Sequence, residues 1–277
     1  MPIRLVAIDL DGTLLNSRWE ISIPNREALM AAAAQGVLLV LVTGRRFQSA
    51  RAIVGQLPCP VTLISSNGAL MGSSSGEVFF RDFLPRSIAR QVLEAAREYR
   101  PYAVAIFDVA GRGQVVMQDN AVPDGPLQWY QTRSPDFLAQ VADLEAALTT
   151  DPVQVMFGGS PARIEAVEPL LRASPVGDQV HLTWTKYFSR EISILDVMNR
   201  GCTKGRALRF WSERSGIAPG EVMAIGDNYN DLEMLRFSGR PVLMGNCSPG
   251  LERDGWAVTR SNDEDGVAAA IEAYVLG

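Results

Sequence analysis

The sequence predicts an α/β fold: a doubly wound parallel sheet that forms a Rossmann-like core, with an α+β domain inserted into it. Three observations predict this architecture. Short, continuous apolar runs alternate with helical segments near the N-terminus, which is the pattern of a parallel sheet. Each of these runs ends in a polar loop that contains glycine. The same alternation returns near the C-terminus, beyond a block in which hairpin-like strands and helices are mixed.

The first element is an apolar strand that ends in two carboxylates. Five of the six residues in Ile3–Ile8 are apolar, and Asp9, Asp11 and Gly12 follow. Such a run indicates a buried strand, and open α/β sheets bind ligands beyond the carboxyl ends of their strands. Two carboxylates this close need a cation or a shared proton, and their oxygens suit Mg²⁺. The alternatives are an ordinary Asp-Gly turn or a calcium loop, although a calcium loop needs another acidic or Asn position before Gly12.

A β-α-β-α-β pattern extends from this strand. Pro24 begins a helix that Gly36 ends, since proline favours the first turn of a helix and glycine the position just beyond the last. This alternation predicts the doubly wound sheet, followed by a hairpin over residues 69–82. The predicted elements are helix Pro24–Gln35, strand Val37–Val42 leading into Thr43-Gly44-Arg45, a helix to about Gln56, and strand Val61–Ser65 leading into Ser66-Asn67-Gly68.

The middle of the chain is predicted to be an inserted domain, residues 84–188, which leaves residues 1–83 and 189–277 as a discontinuous core. Gly111-Arg112-Gly113 between two apolar runs indicates a hairpin. The helices predicted here are Pro85–Arg100, Phe137–Leu148 and Ala162–Ala173. The predicted strands are Tyr102–Asp108, Gln114–Gln118, Val153–Phe157 and Val180–Thr185, with another at Glu191–Leu195 beyond the boundary.

The parallel pattern then resumes. The apolar strand Val222–Ile225 leads into Gly226-Asp227-Asn228-Tyr229-Asn230-Asp231. A polar, acidic loop after a buried strand again predicts functional side chains at the strand's carboxyl end. The other predicted elements are helix Lys204–Ser215, a short helix to Phe237, strand Pro241–Met244 and helix Glu264–Tyr274.

The overall composition limits the classes of function. The chain has 277 residues, 47% of them hydrophobic, with a net charge of −5 and no run of Lys or Arg, so a nucleic-acid partner has no support. Its three cysteines are far apart, which favours neither a disulfide framework nor a zinc site. Charged residues interrupt the N-terminus, and the apolar run Val37–Val42 is too short to span a bilayer. We therefore expect a cytoplasmic protein with no membrane partner.

Four loops are predicted to meet at one edge of the sheet. They carry Asp9 with Asp11, then Thr43 with the backbone N–H groups around Gly44, then Lys204, and finally Asp227 with Asn230 and Asp231. Alone, each has an ordinary interpretation, such as a helix cap, a surface lysine or a polar turn. Together they supply a nucleophile, an acid/base, a hydroxyl and a cation, which is what phosphoryl transfer through an aspartyl phosphate requires.

These stretches resemble the haloacid dehalogenase (HAD) superfamily, in particular the Cof-like phosphatases with a C2-type cap domain. The matching segments are AIDLDGTLL, LVTGR, SSNGA, GCTKGRAL and AIGDNYNDLEML, in family order. The resemblance implies that Asp9 is the nucleophile and Asp11 the general acid/base, and that Thr43 and Lys204 hold the phosphate. It also implies Mg²⁺ bound by Asp9, the backbone carbonyl of Asp11 and Asp227, with Asn230 and Asp231 in support.

Further residues are candidates for the substrate side of the site. Arg45 is expected either to contact substrate or to form an ion pair at a helix start. Asn67 and Gly68 are expected to shape the mouth of the site, and Asn67, Gly44 and Asn230 are candidate phosphate-binding residues. His181, the only histidine, is interpreted as structural, and Cys202 as a small buried thiol.

The predicted function is a Mg²⁺-dependent phosphatase that hydrolyses small phosphorylated metabolites, above all sugar phosphates, as a monomer or weak homodimer. One alternative is a phosphosugar mutase resembling the phosphomannomutases, which would return the phosphoryl group to a sugar. Another is a non-catalytic phosphate-binding or signalling module. Receiver domains also place Asp, Thr and Lys at strand ends, but they are about half as long, and their phospho-acceptor follows a middle strand.

Overall fold

The computed structural model describes residues 1–122, 126–251 and 255–277. Residues 123–125 of the predicted inserted domain and residues 252–254 of the predicted core lie outside this description. The chain divides into two compact units. The first unit combines Met1–Arg81 with Thr203–Gly277, and the second is Asp82–Cys202.

The first unit is built on an eight-stranded sheet with the order β14-β13-β12-β1-β2-β3-β4-β5. Neighbouring strands from β14 to β3 run parallel, whereas β4 and β5 are antiparallel additions at one edge. The predicted doubly wound α/β sheet is confirmed. Its strands are β1 (Leu5–Asp9), β2 (Leu38–Val42), β3 (Thr62–Ser65), β4 (Leu70–Ser73), β5 (Val78–Arg81), β12 (Val222–Gly226), β13 (Arg240–Leu243) and β14 (Ala257–Val258).

Two helices of the first unit begin close to where the sequence signals indicated, whereas α9 is shorter than the predicted helix Glu264–Tyr274. Ser22 caps α1 by accepting a hydrogen bond from the backbone N–H of Asn25, Pro24 lies in its first turn, and Gly36 follows its end. Thr203 caps α7 in the same way. The helices are α1 (Ile23–Ala34), α2 (Phe47–Val54), α7 (Lys204–Arg214), α8 (Leu232–Phe237) and α9 (Gly266–Ile271).

Strand register brings the polar loops of this sheet to one edge. β1 lies between β2 and β12, and all five of its residues are buried. Asp9 pairs in register with Val42, which immediately precedes Thr43. On the other side Ile8 pairs with Ile225. Because the three strands are parallel, the loops that follow them leave from the same edge, and this register sets the geometry of the site.

The second unit has its own six-stranded sheet, with the order β10-β11-β9-β6-β7-β8. All neighbours are antiparallel except β7 and β8. One apolar core, which includes Leu93, Phe157 and Leu171, joins this sheet to its helices. The strands are β6 (Ala103–Ile106), β7 (Val115–Gln118), β8 (Leu138–Val141), β9 (Gln154–Gly159), β10 (Val180–Tyr187) and β11 (Ile192–Asn199), and the helices are α3 (Arg86–Ala95), α4 (Pro126–Arg133), α5 (Pro161–Ile164) and α6 (Val167–Ala173).

Two expectations for the second unit differ from the structure. The helix predicted over Phe137–Leu148 is wrong, because Leu138–Val141 pairs with β7 as a strand and a turn follows. The unit also extends to Cys202, beyond the expected end at residue 188. The reason is that β11 pairs along its whole length with β10 and also with β9, so it belongs to this sheet.

None of the helices within the described residues combines the length and apolar character needed to cross a lipid bilayer.

Candidate active site

The carboxyl end of β1 holds the first two site residues in different environments. Asp9 is the last residue of the strand and is only 4% exposed, whereas the side chain of Asp11 is 18% exposed. The chain turns at Gly12, whose φ of 87° lies in the left-handed region. A Cβ at this position would lie 2.5 Å from Oδ2 of Asp227, so only glycine fits between the two loops.

Lys204 supplies a buried cation at the start of α7. It is 1% exposed, and its Nζ donates to Oδ1 of Asp9 at 2.6 Å and to Oδ1 of Asp231 at 2.7 Å. Thr203 anchors this helix start by accepting a 3.0 Å hydrogen bond from the backbone N–H of Arg206. The ammonium is therefore held between two carboxylates by a capped helix end, rather than lying on the surface as an ordinary lysine does.

Three buried carboxylates form an acidic cluster. Oxygen atoms from Asp9, Asp227 and Asp231 all lie within 4.8 Å of one another. Oδ2 of Asp231 also accepts hydrogen bonds of 3.0 Å from the backbone N–H groups of Asp227 and Asn228. Asp231 therefore stabilises both Lys204 and the loop after β12. The carboxylates of Asp9 and Asp227 accept fewer hydrogen bonds, so their oxygens are more available to a ligand.

Burial and mutual repulsion shift the ionisation of this cluster. Burial raises the pKa of Asp9 to about 7, a rise that Lys204 opposes and that Asp231 and Asp11 reinforce. The pKa of Asp227 is also well above its ordinary value, because of burial and then the charges of Asp9 and Asp231. Burial opposes the charge on Lys204, but Asp231 and Asp9 outweigh that effect and raise the pKa of the lysine. With all four groups ionised, the cluster carries excess negative charge that a divalent cation would balance.

The loops after β2 and β3 lie together beside this cluster. Thr43 is fully buried, and its Oγ1 accepts a 3.1 Å hydrogen bond from the backbone N–H of Arg45. The backbone N–H of Asn67 donates to the carbonyl of Thr43. Asn67 Oδ1 in turn accepts a 3.1 Å hydrogen bond from Asn230 Nδ2, and a Cβ at Gly44 would lie 3.2 Å from the same Oδ1. The structure thus links Thr43, Gly44, Asn67 and Asn230 in one contiguous group.

Arg45 forms an ion pair with the candidate acid/base. Its Nε lies 2.7 Å from Oδ2 of Asp11, and its second guanidinium nitrogen lies 2.5 Å from Oδ1. The ion pair expected for Arg45 is present, with Asp11 as its partner.

Two supporting contacts were missed by the sequence analysis. Thr13 Oγ1 donates to Oδ1 of Asp227 at 3.1 Å, and Asn246 Nδ2 donates to the carbonyl of Gly12 at 2.8 Å. Thr13 lies inside the DGT segment, so its position beside two carboxylates was a usable signal. Asn246 lies more than 200 residues from Gly12 along the chain, and nothing around it in the sequence indicates the contact.

Gly68 lies at the site, next to Asn67. It has a positive φ of 108°, and a Cβ there would clash with the carbonyl oxygen of Thr203. The other two residues lie in the second unit. His181 is in β10 of the second unit, paired in register with Met198, and Cys202 is buried at the end of that unit, as predicted for its thiol.

The chain is similar to known proteins both in sequence and in structure. The sequence profile of the haloacid dehalogenase-like hydrolases matches residues 6–271. Phosphatase YwpJ of Bacillus subtilis is 29% identical, with 96% of this chain and 97% of that protein aligned. HMP-PP phosphatase of Cronobacter sakazakii is also 29% identical, with 90% of this chain and 86% of that protein aligned. A haloacid dehalogenase-like hydrolase structure from Bacteroides thetaiotaomicron has a TM-score of 0.76 at 27% identity, covering 98% of this chain and 99% of that one.

Proposed function

The chain belongs to the haloacid dehalogenase-like hydrolases, and on this basis we propose that it is a phosphoric monoester hydrolase that uses Asp9 as its nucleophile. The observation that carries the proposal is the buried Asp9 carboxylate, held by Lys204 at the end of the central strand and surrounded by Asp227 and Asp231. The phosphatases named among its relatives support the same reaction class. A buried, positioned carboxylate is suited to attack phosphorus, because it does not have to shed bound water first.

The proposed reaction has two halves. First, an oxygen of Asp9 attacks phosphorus in line and forms an aspartyl phosphate, while Asp11 gives a proton to the departing alcohol oxygen. Water then attacks the phosphorus, Asp11 takes a proton from that water, and the bond to Asp9 breaks to release inorganic phosphate. Lys204 and the hydroxyl of Thr43 would contact the equatorial phosphate oxygens and stabilise their charge.

The acidic cluster fits a divalent cation. Asp9 and Asp227 supply hard carboxylate oxygens, and the backbone carbonyl of Asp11 is the third protein ligand that we propose for Mg²⁺. We assign Asp231 a bracing role, because both of its oxygens already accept hydrogen bonds. Bound Mg²⁺ would offset the repulsion between the Asp9 carboxylate and the phosphate of the substrate. The surplus of negative charge among the buried groups supports this assignment.

Small phosphorylated metabolites are the proposed substrate class. Sugar phosphates lead this class because of the resemblance to the Cof-like phosphatases. The HMP-PP phosphatase relative provides a second chemical class to be tested beside them.

The test is phosphate release from a panel of sugar phosphates, HMP-PP, nucleotides and p-nitrophenyl phosphate, each measured with Mg²⁺ and with a chelator. We expect metal-dependent release by the wild-type protein and none by Asp9→Asn. Circular dichroism establishes that the variant is folded. Turnover by a folded Asp9→Asn protein would contradict the proposed mechanism. Phosphate transfer that requires a sugar bisphosphate activator would favour the mutase instead.

A further inference from the structure

The Asp11 carboxylate is held by an arginine through both of its oxygens. Nε of Arg45 is 2.7 Å from Oδ2, and the second guanidinium nitrogen is 2.5 Å from Oδ1. Both side chains are about four-fifths buried, at 21% and 18% exposure. A two-point contact between planar groups fixes the orientation of the carboxylate, which single-point contact by a lysine would not achieve.

The backbone of Arg45 is fixed as well. Its N–H donates to Oγ1 of Thr43 at 3.1 Å, and its carbonyl accepts a 2.9 Å hydrogen bond from the N–H of Ser66. The guanidinium therefore extends from an anchored point of the strand-end loop. Because the backbone of Arg45 is fixed in this way, its ion pair with Asp11 is more strongly constrained than a pair of mobile surface charges.

An aromatic ring completes the contact. The guanidinium carbon of Arg45 lies 5.1 Å from the ring centroid of Trp19, within the range of a cation–π interaction. Trp19 has a φ of 64°, in the left-handed region that bulky side chains rarely adopt, and it is 44% exposed. The Asn16 side chain shapes this turn by accepting hydrogen bonds from the N–H groups of Arg18 and Glu20.

We propose that Arg45 and Trp19 are positioning residues that orient the Asp11 carboxylate as the general base of the second half-reaction. This inference rests on the proposed function. When Asp11 gives its proton to the leaving alcohol, it becomes the carboxylate that the guanidinium binds. The same carboxylate then takes a proton from the attacking water, whose oxygen forms the new bond to phosphorus while the bond to Asp9 breaks. Trp19 keeps the guanidinium plane in place while the carboxylate takes this proton.

Arg45→Gln tests the arginine by separating the two half-reactions. We expect kcat to fall about 10–100-fold, because the base is no longer aligned for the water. The ratio kcat/KM should change less than about threefold, since it reports only steps up to departure of the alcohol. Acid quench of the Mg²⁺-loaded enzyme with ³²P-labelled substrate should show a larger steady-state fraction of aspartyl phosphate than in wild type.

Trp19→Gly tests the ring without weakening the fold. Glycine adopts the left-handed conformation without strain, which offsets the lost packing of the indole, so we expect Tm to change little. In Trp19→Gly, kcat should nevertheless fall, as it does in Arg45→Gln. Trp19→Phe keeps an aromatic face and should retain most of the activity. A purely structural role for Trp19 would instead couple any loss of kcat to a loss of Tm.

Arg18→Gln is the matched control, because it makes the same substitution and removes one positive charge from the loop that carries Trp19. Arg18 pairs with the exposed Glu20 and should leave all kinetic constants unchanged. A raised KM with unchanged kcat in Arg45→Gln would overturn the proposal and make Arg45 a substrate ligand. Equal falls in kcat and kcat/KM without extra phosphoenzyme would also overturn it, because the first half-reaction would then be affected.

A measurement without substrate separates this inference from the proposed function. A double-mutant cycle on thermal stability, with Arg45→Gln, Asp11→Asn and the combination, measures the coupling of the two side chains directly. Nonadditive losses are expected even if the panel of phosphate esters yields no phosphate release. Strict additivity would show that the ion pair does not hold Asp11, and it would overturn the proposal whatever the substrate.

Discussion

The buried position of Asp9 opposes ionisation of its carboxyl group. Burial raises its pKa to about 7 from an ordinary value near 3.8, so the folded metal-free protein retains a proton there that the unfolded chain loses. Between those two pH values the native state binds more protons than the unfolded state, and the free energy of unfolding therefore falls as pH rises. This loss of unfolding free energy is absent below about pH 4 and complete above about pH 7.

We therefore expect Asp9→Asn to be more stable than wild type in the presence of a chelator at pH 8, and to lose that advantage near pH 4. The neutral amide removes the repulsion with Asp227 and Asp231 that ionised Asp9 experiences. Each kcal/mol of relief should raise Tm by about 2–4 °C. Differential scanning calorimetry across this pH range is the measurement, and equal Tm values at pH 8 would contradict the expected cost of ionisation.

Residues next to apolar strands could be predicted from the sequence, and distant partners could not. Asp9, Thr43 and Asp227 each follow a recognisable strand, so sheet topology alone brought them together. Asn246, by contrast, reaches Gly12 through a contact that only the completed fold creates. The contact between Trp19 and Arg45 could not be predicted either, because the left-handed turn that places the ring depends on hydrogen bonds to the side chain of Asn16.

At the scale of elements, the start of α7 joins helix stability to the position of a site cation. Thr203 accepts a hydrogen bond from the N–H of Arg206, and Lys204 is the next residue after this cap. Loss of an N-cap hydroxyl costs about 1 kcal/mol and lets the first helical turn fray. A frayed first turn would move the ammonium away from Asp9 and Asp231.

Thr203→Ala is therefore expected to lower stability by about 1 kcal/mol and to lower kcat/KM as well. The matched control is Ser22→Ala, which removes the cap of α1 in the same unit. It should cost comparable stability without changing the kinetics, since the main packing partners of α1 are α9 and β2. Chemical denaturation and steady-state kinetics on both variants test the comparison. Equal kinetic effects would mean that general loosening, rather than movement of Lys204, lowers activity.

The helix expected over residues 137–148 illustrates why element prediction fails. Leu138, Val141, Leu144 and Leu148 recur at helical spacing, and three of these four are buried in the structure. A short strand followed by a turn satisfies the same spacing. Pairing with β7 decided the outcome, and β7 itself lies more than a dozen residues upstream. Long-range pairing of this kind outweighs a local periodic pattern.

At the scale of the whole molecule, the chain leaves the first unit and returns to it. The second unit has its own sheet and its own apolar core, and its two ends lie side by side, where Nδ2 of Asn199 donates to Oδ1 of Asp82 at 2.5 Å. Adjacent ends and an independent core are the features of a segment that folds by itself.

A fragment comprising residues 82–202 is accordingly expected to fold cooperatively in isolation. Circular dichroism and two-dimensional NMR should give a single sigmoidal melt and dispersed amide resonances. As a control, the fragment that ends at residue 188 lacks β11, which pairs with both β10 and β9, and it should remain unfolded. A folded shorter fragment would place the boundary where the sequence alone suggested it.

The position of β1 has a consequence for protein synthesis. This strand needs β12 as a neighbour, and β12 leaves the ribosome roughly two hundred residues later, which at about 5–20 residues per second is a wait of roughly 10–40 s. During that interval one edge of an apolar strand has no native partner, while the second unit is already complete. The nascent chain thus carries Asp9, the proposed nucleophile, long before it carries Lys204 or Asp227. The proposed activity therefore requires that nearly the whole chain has been translated.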